Sequence, residues 1–218
     1  MRGYCGKVAR VRKAAFRDEV YWARPVPGFG DADARVLLLG LAPAAHGANR
    51  TGRVFTGDGI GASGDFLMAA LNRAGLANIP TSQRIDDGLE LTGVYIAAAV
   101  RCAPPGNKPT TTEIAACLDH LEAEVALLPK VEVVVALGKI AWDAWLALLS
   151  RRIRLPRPRP AFGHGATWQP DAVGTTDTFG TLVGCYHPSR QNTNTGKVTP
   201  AMYDTIFGRV IPRLLGEG

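Results

Sequence analysis

Two loops of this 218-residue sequence, the first punctuated by glycines, carry side chains that could do chemistry together. Residues 40–58 (GLAPAAHGANRTGRVFTGD) offer an imidazole at His46, a phenyl ring at Phe55 and a carboxylate at Asp58. Residues 186–195 (YHPSRQNTNT) offer a second imidazole at His187 and amides at Gln191 and Asn192. Glycines let backbone approach a ligand closely, and loops held by a rigid scaffold are where binding residues concentrate. Neither loop contains GxxxxGK[ST] or GxGxxG, so a triphosphate or dinucleotide site is poorly supported. Taken singly, each residue has a plainer reading. The first loop could be a structural Ω-loop, Phe55 a core aromatic, Asp58 a turn or cap residue before a helix near Ser63, and Asn107 and Asn192 turn formers.

The elements that must bring these loops together can be read from the apolar pattern. Short apolar runs at residues 35–40, 93–100, 131–137 and 181–186, each bounded by turn signals or polar loops, suit buried strands. Between them, residues 63–74, 112–128 and 139–149 return apolar side chains at three- and four-residue spacing, as in Ile114, Leu118, Leu121, Val125 and Leu128. Strands alternating with helices predict an α/β fold: a three-layer αβα sandwich around a central, mostly parallel four-stranded sheet. Right-handed crossovers then put all strand C-terminal ends on one edge, where such proteins bind ligands. The loops after residues 40, 100 and 186 leave from that edge. A further short helix is expected within residues 8–20, and residues 152–178, rich in Pro, Gly and Arg, read as a long irregular stretch.

Composition bounds the partners. The length fits one domain covering residues 1–218, with a core that needs no disulfide or metal staple. No apolar run reaches 18 residues, and the basic N-terminal segment lacks the apolar centre of a secretory signal, so a soluble cytoplasmic protein without membrane contact is expected. The net charge of +6 is compatible with a polyanionic partner, although the basic cluster at residues 151–159 also reads as a solvated loop. Cys5, Cys102, Cys117 and Cys185 are scattered, without a CxxC pair, as in reduced intracellular proteins.

Taken together, residues 40–58, the segment AAVRCAPPGNKPT (98–110) and the segment HPSRQNTNTGK (187–197) resemble the motifs of the uracil-DNA glycosylase superfamily, in particular its broad-specificity class B branch. Shorter matches at residues 14–30, 136–141 and 162–165 (FGHG) extend the resemblance over nearly the whole chain. It implies a monofunctional enzyme that hydrolyses the N-glycosidic bond of uracil, and of other deaminated bases such as hypoxanthine, in DNA and leaves an abasic site. Such an enzyme flips the nucleotide into a pocket, and bond cleavage makes a cationic sugar and an anionic base. The resemblance gives His187 the role of hydrogen-bond donor to the uracil O2, as a neutral or a charged ring, and Asp58 that of orienting water or stabilising the cation. Phe55 would stack on the base, with Ala42, Ala44, Ala45, His46, Asn107 and Asn192 lining the pocket. Ser189, Arg190 and Gln191 would enter the DNA helix, and Arg50, Arg53, Lys108 and Lys197 would contact phosphates.

Two departures stand out. Ala42 occupies the position where several branches carry Asp or Asn before the motif's proline, which shifts the charged role to Asp58; Ala44 stands where glycine is expected. The class B branch also carries a [4Fe–4S] cluster on four cysteines. Cys102 and Cys117 match one pair, the N-terminal pair is not found, and absence of the cluster, hence no cofactor, is expected. A monomer acting alone on uracil-containing DNA is implied. Two other readings remain open: a tight uracil- or abasic-DNA binding protein with little turnover, in which His46 traps the sugar, and an unrelated α/β hydrolase acting on nucleotides.

Overall fold

All four apolar runs form strands. The computed structural model describes residues 1–57, 59, 61–170 and 180–217. Along the chain lie α1 (Arg2–Val11), β1 (Phe29–Gly30), β2 (Val36–Gly40), α2 (Ala48–Thr51), α3 (Ser63–Arg73), β3 (Val94–Ala98), α4 (Thr111–Val125), β4 (Val133–Leu137), α5 (Lys139–Leu149), β5 (Thr167–Trp168), β6 (Thr181–Cys185), α6 (Arg190–Asn194) and α7 (Pro200–Thr205), which continues through a π-helical turn at Ile206–Val210 into α8 (Ile211–Leu214). The sheet order is β1-β3-β2-β4-β6-β5. Its four central strands are parallel, and the two-residue strands at either edge pair antiparallel to β3 and β6.

The sheet thus has six strands where four apolar runs were read. The edge strands escape detection because two residues make no pattern. Gly30 belongs to β1 for a reason of space: a Cβ there would sit 2.4 Å from the Val94 carbonyl oxygen. Short edge strands also limit the unpaired backbone offered to other chains.

Side chains of a strand alternate between faces, and the core divides accordingly. Val36 and Leu38 pack with Leu67, Met68 and Leu71 of α3 and with Tyr203 and Phe207. Leu37 and Leu39 pack with Leu118 and Leu121 of α4 and with Trp142, Trp145 and Leu149 of α5. Helices therefore cover both faces, giving the expected three layers.

The N-terminal helix differs from expectation. It occupies Arg2–Val11 and buries Cys5 and Val8, rather than lying within residues 8–20. Arg12 takes a left-handed backbone (φ 53°) and the chain turns back so that the Phe16 ring lies under the Arg50 guanidinium, 3.9 Å from centroid to carbon. Of the irregular stretch 152–178, residues 167–168 supply β5, and residues 171–179 lie outside the described residues.

A buried carboxylate ties the segment before β2 to the sheet. Glu124 of α4 accepts hydrogen bonds from the Gly28 amide (2.8 Å) and the Tyr95 hydroxyl (3.0 Å) and pairs with Arg101 at 2.8 Å. Val26 N–H donates to the Arg101 carbonyl (2.7 Å), so the same corner holds the start of the loop that follows β3. Removing one partner of a buried ion pair leaves an uncompensated charge, which costs about 3–5 kcal/mol. The Glu124→Ala variant is therefore expected to lose about that much stability in urea denaturation; a midpoint equal to that of the unchanged protein would contradict this account.

Candidate active site

The chain runs from β2 to β3 on one side of the sheet and to β4 on the other, so the order reverses at β2. In open α/β sheets ligands bind beyond the strand ends at such a reversal. A cavity of about 480 Å3 lies there. Gly40 and Leu41 border it at the end of β2, Ala98 at the end of β3, and His187 just past β6.

The loop after β2 is braced from within by two arginines. Arg50 is 8% exposed and Arg53 6%. Arg50 donates to the carbonyls of His46 (2.9 Å) and Gly57 (2.7 Å) and pairs with Glu19. Arg53 donates to both carboxylate oxygens of Asp87 (2.7 and 2.8 Å) and to the hydroxyls of Thr56 (2.9 Å) and Ser82 (3.2 Å). Neither guanidinium is available to a phosphate, which corrects the expectation for both residues. A charged group in a loop joins the interior when internal carboxylates and carbonyls satisfy its donors. An exposed pair such as Lys139–Asp143 contributes only about 0–1 kcal/mol.

These braces carry Phe55 to the cavity. Its backbone is left-handed (φ 52°), a conformation sustained only where surroundings over-determine it. Two glycines make the space. A Cβ at Gly40 would come within 2.8 Å of the Phe55 ring, and one at Gly64 within 2.1 Å of the Phe55 carbonyl oxygen. The ring borders the cavity with its centroid 5.9 Å from that of His187 and the planes 30° apart. Asp58, the expected carboxylate, lies outside the described residues.

His187 lines the opposite wall. Burial pushes its pKa down to about 4, because charging a ring removed from water is costly. The imidazole is thus neutral near pH 7, with one N–H to donate. Asn192 holds the segment: its side-chain amide donates to the His187 carbonyl (2.8 Å), and its backbone N–H donates to Ser189, the N-cap of α6 (3.2 Å). Asn192 therefore positions the histidine loop and is not part of the cavity lining, unlike its expected base-reading role.

Other expected residues divide in the same way. Ala42, Ala44, Asn107, Ser189 and Arg190 all border the cavity. Asn107 sits in a tight turn after Pro105 with a left-handed backbone (φ 56°) and is exposed. Ala45 and His46 face elsewhere. Ala45 packs against Cys5, Cys102 and Ala103, and the His46 Nδ1 is 3.0 Å from the Tyr21 hydroxyl. Lys108, Gln191 and Lys197 are exposed, as contacts with a polyanion require; the Lys197 ammonium lies 5.5 Å from the centroid of the Tyr186 ring. Tyr21, Ser82 and Asp87 brace the first loop from distant segments, and nothing in the loop's own sequence announces them.

Of the four cysteines, three lie near one another and one lies apart. Cys102 has Cys5 and Cys117 as near neighbours, and burial and those neighbours push its thiol up to about 11. Cys185 is fully buried in the other core, against the α3 and α7 side of the sheet. Among the described residues, no three His, Cys, Asp or Glu side chains gather so as to hold a metal ion.

The low pKa of His187 has a measurable consequence. Between about 6.5 and 4 the unfolded chain takes up a proton on this ring that the folded chain refuses. This group's contribution to stability therefore falls as the pH drops through that window and levels off below it. In 15N-resolved NMR titrations the His187 ring is expected to keep neutral-imidazole shifts to below pH 5; a midpoint above 6 would overturn the assignment.

Comparison with known proteins agrees with this geometry. The profile of the uracil DNA glycosylase superfamily matches residues 27–210. The type-5 uracil-DNA glycosylase of Mycobacterium leprae is 52% identical over 206 residues, covering 92% of this chain and 83% of that protein. That of Thermus thermophilus is 55% identical over 192 residues, covering 88% and 81%. A type-4 uracil-DNA glycosylase of Pyrobaculum aerophilum is 35% identical over 133 residues, covering 61% and 58%. With a strand-end cavity and a neutral histidine where the family's motifs fall, this chain belongs to the uracil DNA glycosylase superfamily.

Proposed function

We propose that this chain is a DNA glycosylase of base-excision repair that hydrolyses the N-glycosidic bond of uracil in DNA and leaves an abasic site. The observation that carries the reading is the pairing of Phe55 with a neutral His187 on the wall of one cavity. Heterolysis of the bond sends an electron pair into the base, whose O2 becomes anionic, and leaves a cationic sugar. A neutral imidazole N–H held in place by its loop stabilises that oxygen without the desolvation penalty of a buried cation. Phe55 supplies the face for the extruded base. Asp58 supplies the negative charge, by orienting water or by stabilising the cation, since Ala42 has no group to do so.

The finer reading is a class B, broad-specificity enzyme. Five alanines, Ala42, Ala44, Ala48, Ala62 and Ala98, border the cavity, and its 480 Å3 lies within the roughly 300–1,000 Å3 of small-molecule sites. Such walls favour a purine such as hypoxanthine as well as uracil. Lys108, Arg190, Gln191 and Lys197 would meet the DNA, with salt-dependent affinity. The protein would act as a monomeric single domain in the cytoplasm; no helix among the described residues is long and apolar enough to cross a membrane. The adduct-forming alternative gains no support, because His46 is engaged with Tyr21 away from the cavity.

Single-turnover cleavage of uracil-containing oligonucleotides tests the activity. Asp58→Ala and His187→Ala are each expected to lower the rate by about 10²–10⁴-fold. Absence of uracil release by the unchanged protein would overturn the function, and unchanged rates in both variants would overturn the site. We further propose that the chain works without an iron–sulfur cluster, on the strength of the remote Cys185 and of the missing CxxC pair in the sequence. Protein purified without oxygen should then lack the visible absorption of such a cluster; a stoichiometric iron content would contradict this.

A further inference from the structure

The peptide groups around His187 are held by side chains from two distant segments. At Tyr186, the residue before it, the backbone N–H donates to the Nδ1 of His164 (3.2 Å), and the backbone carbonyl accepts from the Tyr203 hydroxyl (2.8 Å). The His164 Nε2 is 3.3 Å from the Met202 carbonyl. These partners fix the tautomer: Nε2 carries the proton and donates to Met202, while the bare Nδ1 accepts from Tyr186. Burial lowers the His164 pKa, which keeps Nδ1 free to accept.

The loop that carries His164 is itself clamped onto β6. Gly165 N–H donates to the Gly184 carbonyl and Gly184 N–H to the Ala166 carbonyl, both at 2.8 Å. A Cβ at Gly184 would lie 2.2 Å from the Gly163 carbonyl oxygen, so β6 and this loop meet backbone to backbone. The His164 ring then packs on the Tyr186 ring with centroids 5.3 Å apart. His164 does not border the cavity and so cannot touch the base.

We infer that His164 is a positioning residue for the glycosylase reaction: by accepting the Tyr186 N–H it fixes the backbone turn from which His187 reaches the base. This rests on the reading of His187 as the donor to the departing base. Misplacing a reacting group by about 1 Å can cost roughly 100-fold in rate. His164→Leu removes both hydrogen bonds, whereas in His164→Asn the side-chain oxygen takes the place of Nδ1 and only the Met202 bond is lost.

Single-turnover rates, DNA affinity and the 15N shifts of the His187 ring are to be compared in the unchanged protein and both variants. His164→Leu is expected to be about 10- to 100-fold slower with DNA affinity within about twofold, and its His187 resonances are expected to move. His164→Asn is expected to recover rate and resonances to near the unchanged values. Full activity of His164→Leu, equal impairment of both variants, or a loss confined to DNA affinity would overturn the inference. If the unchanged protein releases no uracil, the proposed function fails. The His187 resonances still judge the positioning role in that case, and unmoved shifts in folded His164→Leu would refute it.

Discussion

The inward-turned guanidinium groups of Arg50 and Arg53 are the constraint on which the first wall of the cavity depends. A loop of this length has many conformations, and ordering each residue costs about 1–2 kcal/mol of backbone entropy. The two arginines offset that cost by gathering carbonyls, hydroxyls and a carboxylate from residues 46, 56, 57, 82 and 87 into one buried network. With that network in place, Phe55 can be kept in a left-handed backbone conformation beside Gly40 and Gly64. Without it, no single contact of the phenyl ring would be strong enough to do so.

The second wall works by withdrawing a charge. The cavity side of β6 removes His187 from water, and its positive form is penalised accordingly. Positive charge is carried by Arg190 at the cavity border and by exposed Lys108 and Lys197 outside its lining. The interior of the site therefore offers hydrogen bonds and apolar surface while its rim offers charge. That division separates the neutral imidazole from the cationic side chains.

Much of the fold was legible because burial on both sides of a parallel sheet forces continuous apolar runs, and those at residues 36–40, 94–98, 133–137 and 181–185 are unbroken. The edge strands were not legible, since two residues carry no period, and the N-terminal helix was displaced by a tertiary contact, Phe16 on Arg50. Phe55, Asn107 and His187, singled out by their motifs, come together on the border of one cavity. Arg50, Arg53 and Asn192 were misread for a common reason: a polar residue in a loop can serve water, ligand or its own backbone, and the choice depends on partners far along the chain. Asp87 and Ser82, about thirty residues away, decide it for Arg53.

Five of the residues that border the cavity are alanines: Ala42, Ala44, Ala48, Ala62 and Ala98. A surface built of the smallest side chains can be narrowed at any of five points by one substitution but can scarcely be widened further. Selectivity in a cavity of this kind is then subtractive: a relative that admits fewer ligands can arise by adding atoms to the wall, while His187 stays where it is.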